Sequence, residues 1–366
     1  MKRNEITGIE EKNGRILALL LPALSVGTAM TLFAFLEAVS VFALSTFEVL
    51  PQLDSTIQNL LVLLITQLIA AIIVFFVLLP FFKVKHAEFH PISTSSTSTT
   101  IALFFIALGT TFLSSLFFTS LFTALNWEQQ LDYSEITITA DHVNNPFNIV
   151  LFLITMTIGA ALFEEMVYRR LLIPSLEDNQ VAPFVAVFVS SIMFAMAHLD
   201  TDLMYGNIVG GFIHTTGVLI LSMALGMTYI LTRNVIFPVA IHAVFNLLGS
   251  LSIFFMLMEN EVLLIIHSLL VLAMLGIGIG ITIYTAWKYF RGSETDWILI
   301  IKKKSEVKVS RGLTGFMVVG LALIYMPNVM KINFSLLNVN SNLSGMLLIA
   351  CLASILVVLV WLVGDH

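Results

Sequence analysis

Two carboxylates stand side by side at Glu164 and Glu165, in a run reading Ala-Leu-Phe-Glu-Glu-Met-Val-Tyr-Arg-Arg that closes an apolar stretch beginning near Phe147. Arg169 follows Glu165 by four residues, His198 follows Phe194 by four, and Asn246 follows His242 by four. On a helix, four-residue spacing sets two side chains on one face, one turn apart. Glu165 and Arg169 then form a pair in the favourable order, acid before base, and neutralise each other. Adjacent helical residues diverge by about 100°, so Glu164 points elsewhere and is free to face a cavity. A carboxylate, two imidazoles and an amide converging in a dry cavity suit the hydrolysis of an amide by water. The carboxylate takes a proton from water while a neighbouring imidazole holds that water and shuttles its proton. An imidazole and an amide one turn apart can donate to the oxygen of the tetrahedral intermediate.

These groups lie in a chain built for lipid. Of its 366 residues 58% are hydrophobic and only 11% charged, with a mean hydropathy of +0.98. A soluble domain carries about 25% charged residues, so the fold class is an all-α, polytopic transmembrane bundle. A charged side chain near the bilayer centre costs about 2.5–3.5 kcal/mol, which makes adjacent acids a functional signal. With about 20 apolar residues per span, about ten spans are expected, near 16–36, 60–82, 101–125, 148–173, 181–199, 207–231, 235–257, 262–287, 313–330 and 344–363. The first is read as a transmembrane helix rather than a cleavable signal. Pro327 weakens the ninth.

The basic residues orient the bundle. Alternating loops from a cytoplasmic N-terminus put every Lys and Arg on one side except Lys331, with Arg169 and Arg170 counted at the fourth loop and Arg233 at the sixth. By the positive-inside rule that side is cytoplasmic, and both termini lie there. Ile92–Thr100 reads as a polar Ser/Thr linker, and the acidic loop from Asn126 to Pro146 as external. Lys302–Lys304 reads as a topology anchor. Gly276, Gly278 and Gly280 are expected to let helices approach closely. Cys351 reads as a packing residue, and His214 and His267 as hydrogen-bonded core residues. The chain forms one membrane domain in three parts: helices one to three over 1–147, a core of helices four to seven over 148–257, and helices eight to ten over 258–366.

A turn near Asp178–Gln180 places Glu164 and His198 at similar depth, each roughly 20–30 Å from it. His242 lies roughly 13 Å past Arg233 on the same measure, with Asn246 one turn deeper, so the levels agree only loosely.

The three motifs in this order resemble those of the CAAX-protease and bacteriocin-processing (CPBP, or Abi) family of intramembrane endopeptidases. Glu164, Glu165 and Arg169 match its Glu-Glu-x-x-x-Arg motif, Phe194 and His198 its Phe-x-x-x-His, and His242 and Asn246 its His-x-x-x-Asn. The family commonly has glycine after the motif arginine, where this chain has Arg170. The resemblance covers roughly 150–250. It implies that Glu164 activates water with His198 and that His242 and Asn246 form the oxyanion hole. Glu165 and Arg169 support them, and Phe194 is a wall. It implies an intramembrane peptidase of a lipidated or apolar peptide or membrane protein, needing no cofactor. Its partners are that substrate and membrane lipid, not nucleic acid. Eukaryotic members of the family trim prenylated proteins, and the divergent flanks favour instead a bacterial cell membrane, with a link to bacteriocin immunity or maturation.

Three other readings stay open. The same fold could hold zinc through Glu164, His198 and His242, since catalytic zinc takes three protein ligands and an open position; His-Glu-x-x-His is absent, and asparagine suits an oxyanion role better than a metal. A non-catalytic immunity, receptor or scaffold protein would keep the helices and bind without cutting. A proton-coupled transporter would use the buried Glu and His as a relay.

Overall fold

The computed structural model describes residues 22–37, 39–40, 55–84, 94–124, 145–179, 181–204 and 208–292, and every regular element among them is helical. Eight helices follow one another: α1 (Pro22–Glu37), α2 (Thr56–Phe81), α3 (Thr94–Ala124), α4 (Pro146–Asp178), α5 (Pro183–Met204), α6 (Ile208–Thr232), α7 (Ile236–Leu257) and α8 (Glu261–Phe290). Each falls on one of the first eight expected spans. Six contain stretches long and apolar enough to cross a membrane; the apolar parts of α1 and α5, Pro22–Glu37 and Pro183–His198, are shorter. The chain is therefore a multi-pass membrane protein. The ninth and tenth expected spans, Cys351, Lys302–Lys304 and most of the acidic loop lie outside the described residues.

The helix that carries the two glutamates is the organising element. α4 packs against α2, α5 and α7. Asn145 caps it by accepting from the Phe147 amide at 3.0 Å, and Pro146 follows at the first helical position, where a missing N–H is harmless. Its 33 residues are not uniform. π-helical turns at Ile154–Gly159 and Met166–Leu172 bracket an α-helical segment, Ala160–Glu165. Local causes are visible at both. Thr155 returns its hydroxyl to the Leu151 carbonyl at 2.7 Å, competing with the backbone ladder. Pro174, just after the second π turn, has no N–H to offer the preceding turn.

Small residues let neighbours close on α4. Ala23, Val26 and Ala29 of α1 and Ala70, Ala71 and Val74 of α2 join one buried core with Phe163–Leu176 residues of α4 and the inner faces of α5 and α6. A Cβ on Gly226 of α6 would lie 2.7 Å from Val187 of α5, so that crossing needs glycine.

Three expectations change here. Thr94–Thr100 is helical and begins α3 instead of forming a linker. Ser and Thr favour helix starts, where their hydroxyls satisfy local backbone groups, and the apolar run after them extends the helix. Of the three glycines on α8, Gly278 makes the close approach: a Cβ there would fall 2.2 Å from the Phe105 carbonyl of α3, whereas at Gly276 and Gly280 it would meet nothing within 4 Å among the described residues. Arg169 and Arg170 are not loop residues. Both are buried within α4, because Arg169 has an acidic partner and Arg170 lays its guanidinium 5.6 Å from the Phe75 ring of α2.

A second ion pair fixes one end of the bundle. Arg233 adopts a left-handed conformation (φ 50°) in the turn between α6 and α7, and its Nη2 donates to Glu177 near the end of α4 at 2.7 Å. Asn234, in the same turn, accepts from the Ile236 amide at 2.9 Å as α7 begins. The ends of α4 and α6 thus lie at one level.

Candidate active site

Glu165 is the buried anchor. It and Arg169 are both 0% exposed, with Arg169 Nη1 3.0 Å from Glu165 Oε1, the pair their four-residue spacing predicts. Arg169 also donates from Nη2 to the Ser222 hydroxyl of α6 at 2.7 Å and to the Ser222 carbonyl at 3.3 Å. Its guanidinium carbon lies 4.6 Å from the centroid of the Phe194 ring. A buried charge is tolerable on such terms, with a counter-charge, hydrogen bonds and an aromatic face.

The same Glu165 oxygen reaches α7. His242 Nδ1 donates to Glu165 Oε1 at 2.9 Å, so a carboxylate fixes the orientation of the ring. The opposite nitrogen, Nε2, lies 3.7 Å from Glu164 Oε2. Glu164 is 23% exposed, whereas Glu165 has no exposed surface, so the neighbouring acids do diverge. The loose agreement in depth is resolved as contact. The π turn at Met166–Leu172 fits more residues into each turn than an α-helix and shortens the path from Glu164 to Glu177.

His198 lies at the end of the apolar part of α5. Its Nδ1 is 2.9 Å from the Phe194 carbonyl, one turn earlier, so Nδ1–H donates there and Nε2 is the accepting nitrogen. Phe194 is fully buried among the site residues. Its centroid is 4.6 Å from the ring of His198, 5.8 Å from that of His242 and 5.1 Å from that of Tyr168. It is a wall shared by three motifs. Asn246, one turn past His242, donates from Nδ2 to the Met156 carbonyl at 2.8 Å, inside the first π turn of α4. One amide hydrogen is used in that bond and the second is left for another acceptor.

Two residues near the site were not assigned to it from the sequence. His214 is exposed and not a core residue; its ring centroid lies 6.2 Å from that of His198. Ser222 is a fully buried acceptor for Arg169. Neither belongs to a spaced motif, and only the packing of α6 brings them in. His267 is buried as expected, though among the described residues its Nε2 has no hydrogen-bond partner. Also among the described residues, no group of three His, Cys, Asp or Glu is arranged to hold a metal ion.

These contacts join α4, α5 and α7 within one stretch of sequence. Residues 146–248 match the family model for type II CAAX prenyl endopeptidase Rce1-like proteins. No curated protein and no solved structure matches the chain. The Rce1-like match begins at the first residue of α4 and ends two residues past Asn246, so it contains all seven motif residues and the turns between them. The Rce1-like family is one of proteases, which supports a hydrolase. Helices α1 to α3 and α8 lie outside the match.

Proposed function

We propose that the chain is a glutamate-dependent intramembrane endopeptidase of CAAX-protease type, hydrolysing a peptide bond in a lipidated or apolar peptide or membrane protein. The observation that carries this reading is the continuous path from Arg169 through Glu165 and His242 to Glu164, inside the Rce1-like segment. Glu164 takes a proton from water as its oxygen attacks the carbonyl carbon. His198, its Nδ1–H held by the Phe194 carbonyl, accepts a hydrogen bond from that water through Nε2. The oxyanion receives the spare Asn246 N–H and the His242 Nε2–H. Because His242 Nδ1–H is committed to Glu165, Nε2 donates only when the ring carries both protons. As the C–N bond breaks, the proton on Glu164 passes to the leaving amine.

No step of this cycle calls on a metal. We also propose that the bundle has about ten spans with both termini cytoplasmic, forms one membrane domain around residues 148–257, and resides in a bacterial cell membrane. Removing Arg169 and Arg170 from the loop count leaves the positive bias on the same side. Membrane lipid and the substrate are its partners.

The experiment compares wild type with Glu164→Gln and His242→Ala in detergent, using fluorogenic peptides with and without a lipid chain. Cleavage by wild type alone, persisting in chelator, is the expected result. Loss in chelator and recovery with zinc would point to metal held by Glu164, His198 and His242. Binding of peptides by all three proteins with no cleavage would overturn the peptidase reading in favour of a non-catalytic immunity or scaffold protein.

A further inference from the structure

We infer that Ser222, on α6, is a positioning residue of this site, acting through Arg169 and Glu165 on the ring of His242; the inference rests on the proposed peptidase reading. Ser222 is fully buried. Its hydroxyl accepts from Arg169 Nη2 at 2.7 Å and its carbonyl accepts a second bond from the same nitrogen at 3.3 Å. Arg169 Nη1 is 3.0 Å from Glu165 Oε1, and that single oxygen is 2.9 Å from His242 Nδ1. The path therefore crosses from α6 through α4 to α7 and ends on the imidazole that faces Glu164.

Each partner removes a freedom from the next. A guanidinium is a rigid plane of donors, so holding one nitrogen and one face fixes where the others point. Phe194 restrains the face of Arg169 and Ser222 restrains Nη2, which leaves Nη1 aimed at Glu165. Glu165 Oε1 serves Arg169 and His242 together, so a shift of the guanidinium turns the carboxylate and carries His242 Nδ1–H with it. Ser222 is 53 residues from Arg169, on a helix without a motif, and spacing gives no hint of it. A serine that merely filled space in α6 would have no reason to register at an imidazole on α7.

The test uses the full chain in lipid nanodiscs, labelled with ¹⁵N in the histidine rings. Spectra and peptidase kinetics are compared for wild type, Ser222→Ala and Ser222→Thr, with His242→Gln assigning the His242 signals. Ser222→Ala is expected to move the His242 ring resonances. It should also lower kcat about 10- to 100-fold, the loss expected of one hydrogen bond to a charged group, with KM changed less than about twofold. Ser222→Thr, which keeps the hydroxyl, should leave both near wild type. In a Glu165→Gln background the further loss from Ser222→Ala should vanish, because the route through the carboxylate is already cut. Unmoved His242 signals in folded Ser222→Ala protein, or an equal loss of kcat in both backgrounds, would overturn the inference. Should Ser222→Ala fail to fold, Ser222→Cys, a weak acceptor of similar volume, is judged by the same criteria. If wild type cleaves nothing, the peptidase reading fails, and the His242 spectra alone decide whether Ser222 positions the ring.

Discussion

Replacing Arg169 with methionine would leave the Glu165 carboxylate fully buried without the cation now 3.0 Å away. Removing one member of a buried ion pair costs about 3–5 kcal/mol, because the remaining charge stays desolvated. The lost contact with the Phe194 ring, now 4.6 Å from the guanidinium carbon, adds up to about 2 kcal/mol at a dry site. Methionine fills much of the arginine's volume, so the cavity contribution is small. On the ion-pair cost alone, at about 2 °C per kcal/mol for a long chain, the melting temperature should fall by about 6–10 °C. The double variant Glu165→Gln with Arg169→Met leaves no uncompensated charge and should recover at least half of that loss, even though His242 gives up its carboxylate. The assay is size-exclusion chromatography with fluorescence detection after heating, in one detergent at one pH. If Arg169→Met melted within about 2 °C of wild type, or if the double variant were less stable than the single, the pair would not be a charge compensation and the reasoning would fail.

Three further outcomes are expected. Gly278→Ala should force α3 and α8 apart and destabilise by about 1–3 kcal/mol, read as a lower melting temperature than wild type. Asn246→Ala removes the 2.8 Å bond to the Met156 carbonyl and the spare oxyanion donor. It should cost about 1 kcal/mol of stability and about 100- to 1,000-fold in kcat, read by melting and steady-state kinetics. Burial alone would lower the Arg233 pKa, but the hydrogen bond and charge of Glu177 outweigh it, so the folded-state value is raised. For a cation so raised, the stabilisation is complete below the unfolded-state pKa and is lost only above it. The roughly 1 kcal/mol cost of Arg233→Ala should therefore be constant in melts between about pH 6 and pH 9.

What the sequence made legible was local. The Glu165–Arg169 pair, the divergence of Glu164, the alignment of Phe194 with His198 and the turn after Asp178 all follow from helical periodicity over a few residues. The eight described helices follow from apolar length. What spacing could not supply was the partner across the bundle. That His242 hangs on Glu165, that Asn246 reaches the Met156 carbonyl, and that Ser222 holds Arg169 depend on how α4, α6 and α7 pack. Glycine shows the same limit: Gly276, Gly278 and Gly280 look alike in sequence, and only the path of α3 singles out Gly278. Charge counting misplaced Arg169 and Arg170 because a buried cation with a partner looks, in one dimension, like a cation at a helix end.

A π turn is an α-helix holding one residue more than its pitch requires, and so it works as a phase shifter. The two in α4 turn Ala160–Glu165 into a cassette whose rotation is set apart from both ends of the helix, which Asn145 and the Glu177–Arg233 pair hold. Losing one residue from Ile154–Gly159 is a change that turn can absorb by relaxing to α. Losing two, with no second extra residue to give up, would swing the C-terminal part of the helix by about 100° relative to the N-terminal part. Glu164 would then be carried off His242 with every motif residue and every motif spacing unchanged. The aim of the carboxylates is thus stored in the length of a segment that contains no acid or base, and a two-residue deletion there would disarm the site more quietly than any substitution within it.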